Sequence, residues 1–279
     1  MRGECEGRVA FITGASRGIG AAIAQRLAAA GAAVAAVARS LDRHPPDLPG
    51  TLRETVATIA ARGGRAVAIH GDVLDAHSRA QAVAQCQQEL GPIDILVNNA
   101  AVGPYKSFES FTERDFHLTY EANVRAPFEL CQLVLPAMRE KQRGWILNIS
   151  SATAEHPQGP PFIPWEQMGG HMLYGSSKAA LNRLTTGLAA ELYNDGIAVN
   201  ALSPVAAVIT PGLEAMGVSH WIEPSMVEPV EAMAEAALIL CSCDAATMTG
   251  RVAYSLKLLE ELGRPIRTLD GRALYPAPA

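Results

Sequence analysis

Tyr174 and Lys178 lie four residues apart in the stretch GGHMLYGSSK, and this spacing predicts that both side chains lie on one face of a helix. An unperturbed tyrosine has a pKa of about 10 and is a poor base near neutrality. A lysine ammonium roughly 4 Å away can supply about 4 kcal/mol at an effective dielectric of about 20, enough to bring that pKa to about 7. The pair is therefore a candidate acid–base site, and the alternative is an exposed helix pair of little energetic weight.

A glycine-rich segment near the N-terminus, TGASRGIG (13–20), follows an apolar run and opens an alanine-rich helical pattern. Glycines let a backbone approach a pyrophosphate closely, and a helix N-terminus supplies free N–H groups and a positive dipole. A tight glycine turn without a ligand is the alternative, but the flanking strand and helix favour nucleotide binding. The loop residues expected to contact the nucleotide are Gly14, Ser16, Arg17, Gly18, Ile19 and Gly20.

The end of the second apolar run, AVAAVA, bears on which nucleotide is bound. Dinucleotide-binding folds that take NAD usually place an acid there, whereas this chain has Ala38 followed by Arg39. An arginine can pair with the 2′-phosphate of NADP, and Arg17 offers a second positive charge. We therefore expect NADP(H), with NAD(H) less favoured; the alternative is that Arg39 is a solvated loop residue. After the third run, Asp72 and Val73 are expected at the adenine, although a turn aspartate explains Asp72 equally well.

The elements that must position these residues alternate along the chain. Short β-branched runs predict strands at 8–13, 33–38, 65–70, 93–98, 144–150, 196–202 and 250–255, and helical patterns lie near 18–30, 51–62, 76–90, 113–139, 174–193 and 229–241. Several strands are apolar almost throughout, as expected when both faces of a parallel sheet are buried. The prediction is an α/β fold: a single-domain, Rossmann-like, doubly wound parallel sheet of about seven strands, with helices on both faces.

Composition excludes several classes of protein. The chain has 279 residues, 49% of them hydrophobic, with a net charge of −5 and no long basic run, so disorder and nucleic-acid binding are not expected. No segment predicts a membrane span or a signal peptide. Five cysteines without metal-ligand spacing indicate buried, reduced thiols, an intracellular, cytoplasmic protein and no metal site.

The chain resembles the short-chain dehydrogenase/reductase family over roughly residues 7–255. Each motif is weak alone, but their order and spacing are specific: TGASRGIG (13–20), NNAA (98–101), Asn123 in EANVRAPF, NISS (148–151), YGSSK (174–178) and VNALSP (199–204). The resemblance implies a nicotinamide cofactor and reversible hydride transfer between a carbonyl compound and an alcohol. It also implies a small-molecule substrate and a homo-oligomer, a tetramer or dimer paired through the helices at 113–139 and 174–193.

Carried over by position, the resemblance makes Tyr174 the general acid/base and Lys178 the residue that also holds the nicotinamide ribose. Ser151, rather than Ser150, would polarise the substrate oxygen; the alternative is a strand-end serine that bonds local backbone. Asn123 would hold a water that links Lys178 to solvent, and the alternative is an ordinary polar helix residue.

Further cofactor contacts follow from the same resemblance. Asn99 and Ala100 would line the adenosine ribose through backbone and side chain. Pro204 and Thr210 follow the sixth strand, where the family's backbone meets the nicotinamide carboxamide. Val205 stands where the family commonly has glycine, which leaves the fit of the nicotinamide ring open.

The segment between Ser151 and Tyr174 departs from the family because its 22 residues make it unusually long. It is rich in proline and carries Phe162, Ile163, Trp165 and Met168, so we expect it beside the substrate pocket; a surface loop or an oligomer contact is the alternative. His171 is expected to be structural. With a second loop near 205–228, the apolar residues that favour a fairly hydrophobic substrate are Phe162, Trp165, Met216, Trp221 and Met226.

The sequence thus predicts one NADP(H)-dependent oxidoreductase domain over 1–279, with insertions near 152–172 and 205–228 and a C-terminal tail at 256–279 that could reach a neighbouring subunit. Two alternatives stay open. One is a dehydratase or epimerase of the same fold that retains its cofactor, and the other is a non-catalytic NADP(H)-binding sensor.

Overall fold

Apolar side chains run almost without interruption through the central strands, and the computed structural model, which describes residues 3–43, 48–205, 207–215, 222 and 226–276, joins them in one sheet. The strands are β1 (Val9–Thr13), β2 (Ala33–Ala38), β3 (Arg65–His70), β4 (Ile95–Asn98), β5 (Gly144–Ile149), β6 (Ile197–Ser203) and β7 (Val252–Tyr254). All neighbours pair in parallel, in the order β3-β2-β1-β4-β5-β6-β7. The predicted sheet is confirmed.

Ten α-helices in the described ranges cover the two faces of this sheet. They are α1 (Gly18–Ala29), α2 (Leu52–Ala61), α3 (Ala76–Leu90), α4 (Glu113–Tyr120), α5 (Ala126–Lys141), α6 (Pro164–Met168), α7 (Met172–Glu191), α8 (Pro211–Ala215), α9 (Val230–Leu240) and α10 (Ser255–Glu261). Because successive strand residues point to opposite faces, Phe11 and Ile12 of β1 enter two separate cores. Ile12 packs in the core that holds Leu27 of α1 and Leu238 of α9, and Phe11 packs in the core that holds Leu130 of α5.

The sheet order places a crevice between the carboxyl ends of β1 and β4. Phe11 of β1 pairs with Ala35 of β2 on one side and with Leu96 of β4 on the other. The chain builds outward from β1 through β2 to β3 and then returns to the opposite side of β1 as β4. Open α/β sheets bind their ligands at such a switch point.

The prediction of a single helix over 113–139 is wrong in one respect. Helix α4 ends at Tyr120, a π-helical turn spans Glu121–Arg125, and α5 begins at Ala126. Buried polar side chains account for the wider turn, because Glu121 accepts from Arg79 Nη1 (3.0 Å) and Asn123 bonds the loop after β4. Turns of this type occur often at functional sites.

The C-terminal tail packs on its own chain instead of extending from it. Arg264 Nε donates to Glu235 Oε1 (2.7 Å), and its guanidinium also pairs with Glu4. Glu235 is fully buried in α9 and accepts from Arg26 Nε of α1 at 2.7 Å. A buried carboxylate needs such partners, so these ion pairs anchor the tail to the two helices.

All five cysteines are free thiols, and four of them are buried, as the sequence predicts. Burial raises the pKa of the Cys86 thiol to about 12, which keeps it protonated and unreactive. Across the ranges that the structure describes, no helix combines the length and the apolar character needed to span a bilayer.

Candidate active site

The carboxyl ends of the central strands bring the predicted site residues to one edge of the sheet. Strands β1, β4 and β5 end at Thr13, Asn98 and Ile149. The glycine-rich loop follows β1, the NNAA segment ends β4, and Ser151 follows β5. Residues far apart in sequence therefore share one edge, as parallel strands require.

Thr13 and Asn99 hold the start of the glycine-rich loop. Thr13 Oγ1 accepts from the backbone N–H groups of Asn99 (3.0 Å) and Ala100 (3.1 Å), and Asn99 Nδ2 donates to the carbonyls of Thr13 (2.9 Å) and Gly14 (3.3 Å). These bonds give Asn99 and Ala100 a structural role, and their expected place along the adenosine ribose stays a prediction. Carbonyl groups at the end of a strand have no hydrogen-bond partner in the sheet, and the side-chain amide of Asn99 donates to these two.

Close contacts within the chain require the glycines of this loop. A Cβ added to Gly14 or Gly20 would lie 2.7 Å or 2.4 Å from Asn99 Nδ2. Gly18 has a φ of +55°, in the left-handed region, and an added Cβ would lie 3.1 Å from Thr210 Cγ2. Contacts within the chain thus account for the glycines at these three positions.

The N-terminus of α1 has the donors that an anion needs. Arg17 is the N-cap residue, and its side chain does not hydrogen-bond the first N–H groups of the helix. These groups carry the positive end of a 12-residue helix. Ser16 is buried beside them, and Ile19 packs against the core. An uncapped helix end behind a glycine loop fits a pyrophosphate.

Two arginines flank the end of β2. Arg17 donates from Nε to Pro49 O (2.9 Å) and from Nη2 to Gly50 O (2.7 Å) and Ser40 Oγ (3.1 Å), which fixes its guanidinium. Arg39 is exposed, and its side chain makes no hydrogen bond or ion pair within the described ranges. Burial lowers the pKa of Arg17, and the charge of Arg39 adds to this effect. Two cations held this close attract an anion such as a ribose phosphate.

The turn after β3 is built by Asp72 itself. Asp72 Oδ1 accepts from the Leu74 N–H (3.0 Å), and the Asp72 N–H donates to Ser78 Oγ (2.9 Å). The carbonyl of Val73 accepts from Arg79. Asp72 therefore shapes the turn, which is one of the two roles that the sequence left open. The turn uses one of its two carboxylate oxygens.

Ser151 lies beside Tyr174 at the edge of the sheet, close enough for its side chain to lower the pKa of the phenol. Ser151 Oγ also accepts from the Thr153 N–H (3.2 Å) and hydroxyl (2.9 Å), so both of its lone pairs have donors and its own proton remains to be donated. The Tyr174 ring packs on the backbone of Gly103, where an added Cβ would lie 2.7 Å from Tyr174 Cδ2.

Lys178 is buried on the other side of the tyrosine. Its Nζ donates to Ile149 O at 2.7 Å and lies 5.6 Å from the centre of the Tyr174 ring. Burial lowers the pKa of Lys178 to about 7. Burial, with a smaller effect of Tyr105, raises the pKa of Tyr174 well above its usual value, and the Ser151 hydrogen bond opposes this rise. The expected lowering of the Tyr174 pKa by Lys178 is wrong here, because desolvation dominates both groups.

Asn123 lies in the π-helical turn and is fully buried. Its Oδ1 accepts from the Val102 N–H (2.9 Å), and its Nδ2 donates to Val102 O (2.8 Å) and Ser177 Oγ (2.9 Å). Both amide hydrogens are thus used within the chain, and the expectation that Asn123 holds a water for Lys178 stays a prediction. Asn123 fixes the loop after β4 against α7.

The loop after β6 lies against the glycine-rich loop. Pro204 follows directly after β6, and the Val205 N–H donates to Glu228 Oε2 (3.0 Å). The methyl group of Thr210 faces Gly18, and Thr210 Oγ1 accepts from the Leu213 N–H (3.2 Å). The hydroxyl proton of Thr210 remains free to be donated to a ligand.

The long segment before Tyr174 folds around a stacked ring pair. Trp165 and His171 stack with ring centres 5.0 Å apart and planes 8° from parallel. Phe162 and Ile163 are exposed, at 46% and 56% of their surfaces. Met226 is exposed as well, whereas Met216, Trp221 and the Met168 side chain lie outside the described residues.

The sequence analysis missed Tyr105, although the structure sets it beside Tyr174. The two rings have centres 6.2 Å apart and planes inclined by 37°. The available signal was the Gly-Pro-Tyr of VGPYK, which follows the carboxyl end of a predicted strand. Gly103 of the same stretch lies under the Tyr174 ring and was missed with it.

Comparisons with known proteins agree with this geometry. The family model described as short chain dehydrogenase matches residues 8–216. The chain is 34% identical over 254 residues to 7alpha-hydroxysteroid dehydrogenase of Escherichia coli, covering 88% of this chain and 92% of that protein. It is 33% identical over 274 residues to hydroxysteroid dehydrogenase-like protein 2 of Danio rerio, covering 98% of this chain and 62% of that protein.

Among solved structures, a 3-oxoacyl (acyl-carrier-protein) reductase of Agrobacterium tumefaciens with NADP bound is 28% identical, with a TM-score of 0.75. That comparison covers 88% of this chain and 92% of the reductase. The chain spans about three fifths of the length of several curated relatives that it matches. The family model and the similarity to the Escherichia coli enzyme over 88% of this chain both indicate the same family. The chain therefore belongs to the short-chain dehydrogenase family.

Proposed function

We propose that the protein is an NADP(H)-dependent oxidoreductase that interconverts a ketone or aldehyde and an alcohol. The arrangement of Tyr174 carries this proposal: its half-buried phenol lies beside Ser151, has the Lys178 ammonium 5.6 Å from its ring centre, and lies at the sheet edge that also holds the glycine loop. The relatives named as hydroxysteroid dehydrogenase and oxoacyl reductase support the same reaction class.

In the reductive direction, Tyr174 donates its phenolic proton to the substrate oxygen. The raised pKa of this phenol keeps the proton in place at neutral pH, as a general acid requires. Ser151 donates a hydrogen bond to the same oxygen and stabilises the negative charge that develops there. A nicotinamide held at this site would supply the hydride that the carbonyl carbon accepts. Lys178, with a pKa of about 7, can deliver a proton to return Tyr174 to its neutral form.

The cofactor proposed for this site is NADP(H) in preference to NAD(H). The uncapped end of α1 would hold the pyrophosphate, and Arg17 and Arg39 would pair with the 2′-phosphate. The NADP-bound reductase supports a nicotinamide cofactor. The wider set of proposed cofactor contacts is Gly14, Ser16, Gly18, Ile19, Gly20, Asp72, Val73, Asn99, Ala100, Tyr174, Lys178, Pro204 and Thr210, while Asn123 acts by fixing the loop after β4.

The substrate proposed is fairly hydrophobic. The segment that separates Ser151 from Tyr174 exposes Phe162 and Trp165, and Met226 is exposed in the loop after β6. Exposed apolar groups around a catalytic edge favour an apolar ligand. A substrate panel in which only sugars or polyols react would contradict this part of the proposal.

A homo-oligomer is proposed from the outer face of α5 and α7. Phe128 and Leu133 of α5 are exposed at 46% and 37% of their surfaces. A groove beside them is lined by Leu135 of α5 and by Leu184 and Leu188 of α7. Apolar side chains on an open helix pair favour contact with a second copy. Light scattering on the purified protein would test this.

A cofactor-coupled screen tests the activity. The protein is mixed with NADPH and a panel of ketones and aldehydes, and loss of the reduced nicotinamide absorbance is followed. A hydride-transfer enzyme consumes NADPH in step with alcohol formation. A dehydratase or epimerase would change its substrate without net consumption of NADPH, and a sensor would bind NADPH without turnover, so either result would overturn the proposal.

A further inference from the structure

Tyr105 is a second phenol at the site and has no part in the mechanism above. It lies in the loop between β4 and α4, is half-buried, and packs at 6.2 Å between ring centres on Tyr174. In the described part of the chain, Tyr105 is the one aromatic residue whose ring contacts that of Tyr174. The two phenols are thus within reach of one small molecule.

The loop that carries Tyr105 is held on both sides of it. Asn123 bonds both backbone groups of Val102, and the Lys106 N–H donates to Gly170 O (3.3 Å) at the end of the long segment before α7. Gly103 packs under the Tyr174 ring between these anchors. The position of Tyr105 beside the general acid is therefore built into the fold.

The Tyr105 hydroxyl lacks a partner in a structure where comparable hydroxyls have one. Tyr120, Tyr193 and Tyr254 donate to Ser176 Oγ, the Ala246 carbonyl and Glu155 respectively. Within the described ranges the Tyr105 hydroxyl makes no hydrogen bond, although burial has removed enough solvent to raise its pKa. The proton and lone pairs of this half-buried hydroxyl are unused within the described residues and open to solvent, so a ligand can bond them.

We propose that Tyr105 is a specificity-determining residue that hydrogen-bonds a second oxygen of the substrate, next to the carbonyl that Tyr174 protonates. The inference rests on the proposed function of Tyr174. Lys106, the cation of this loop, is paired with Asp115 at 2.8 Å, so its charge is already matched within the chain. The second oxygen is therefore a neutral hydroxyl or carbonyl group, and the substrate class is a hydroxy- or oxo-substituted ketone.

Binding of matched ketones tests the contact without requiring turnover. Two probe pairs, cyclohexanone with 2-hydroxycyclohexanone and 2-decanone with 3-hydroxy-2-decanone, are titrated by calorimetry into the full chain saturated with NADP⁺. We expect the hydroxylated member of at least one pair to bind roughly 10-fold more tightly. Tyr105→Phe should remove that preference and leave the affinity for the plain ketone unchanged, while Tyr193→Phe should keep it.

The outcomes separate the two proposals. Equal affinity within every pair, or a preference that survives in Tyr105→Phe, would overturn the role of Tyr105 and leave hydride transfer standing. A preference that depends on Tyr105, in a protein that never consumes NADPH, would instead overturn the proposed function. Tyr105→Phe removes one oxygen and no carbon, and an unchanged melting temperature would exclude a folding effect.

Discussion

The ammonium group of Lys178 lies 5.6 Å from the ring centre of Tyr174 and donates to the carbonyl of Ile149. Lys178 is buried and Tyr174 is half-buried, and loss of solvent acts on their pKa values in opposite directions because it favours the neutral form of each. The phenol holds its proton more tightly, and the ammonium holds its proton less tightly, with a pKa of about 7. The pair is thus set to pass a proton from lysine toward tyrosine near neutral pH.

Replacing Lys178 with Met should stabilise the protein at neutral pH. The pKa falls from 10.5 to about 7 on folding, which corresponds to roughly 5 kcal/mol against the charged form. Loss of the hydrogen bond to Ile149 offsets about 1–3 kcal/mol of that gain. We expect a net gain of roughly 2–4 kcal/mol in the free energy of unfolding at pH 6.5, measured in urea.

The difference in unfolding free energy between Lys178→Met and the wild type should depend on pH. Between pH 7 and about 10.5 the unfolded chain binds a proton that folded Lys178 has lost, so wild-type stability rises with pH. The advantage of Lys178→Met should therefore be full below pH 7 and vanish toward pH 10. Lys257→Met, at an exposed lysine, should show no such trend, and a constant difference across this range would contradict the burial argument.

Removing the hydroxyl of Tyr174 should abolish turnover but not cofactor binding. Tyr174→Phe keeps the ring on Gly103 and deletes the hydroxyl that lies beside Ser151. We expect kcat to fall by about 10²–10⁴ or more, the range of general acid catalysis, with the Kd for NADPH changed less than about 3-fold. Tyr193→Phe is the matched control, and near-normal activity of Tyr174→Phe would disprove the mechanism.

A methyl group added at Gly20 should disrupt the nucleotide loop. The new Cβ would lie 2.4 Å from Asn99 Nδ2 and 2.4 Å from Gly14 O, so the loop must shift. We expect Gly20→Ala to lose about 1–3 kcal/mol of stability, and NADPH affinity should fall at least about 10-fold. In Gly212→Ala the added atom would meet Thr210 Oγ1 at 3.8 Å, an ordinary contact, so that variant should bind NADPH normally.

Arg39 should decide the preference between the two nicotinamide cofactors. Arg39→Ala removes an exposed cation beside the fixed guanidinium of Arg17. We expect kcat/KM for NADPH to fall by roughly 10–100-fold while kcat/KM for NADH stays nearly constant, because only NADPH carries the phosphate. Arg114→Ala, at an exposed arginine of α4, should change neither value. An equal loss with both cofactors would contradict the assignment.

Glu235 should be the anchor of the C-terminal tail. Its buried carboxylate bonds Arg26 and Arg264, each at 2.7 Å, so Glu235→Gln leaves two guanidinium groups poorly paired. We expect a loss of roughly 3 kcal/mol in unfolding free energy and faster proteolysis after residue 264. Glu261→Gln, which breaks an exposed pair with Arg251, should change little, and equal effects of the two variants would argue against the anchor.

The fold was predictable because its signals are local. Apolar runs marked all seven strands, and the predicted bounds of α3 agree with the structure at both ends. The region 113–139 was predicted less well, because the π-helical turn depends on Arg79 and Val102, which are distant in sequence. Periodicity cannot report a partner that only the folded chain brings close.

The sequence by itself determined the parallel sheet and the residue types available at its edge, including Tyr174, Lys178 and Ser151. The tertiary structure decided what those residues do to one another: that Lys178 bonds Ile149, that Asn99 holds the glycine loop, and that Tyr105 lies beside Tyr174. The physical reason is that hydrophobic period and spacing are properties of neighbouring residues. Desolvation, hydrogen-bond partners and pKa values depend on contacts between elements, and these exist only once the chain has folded.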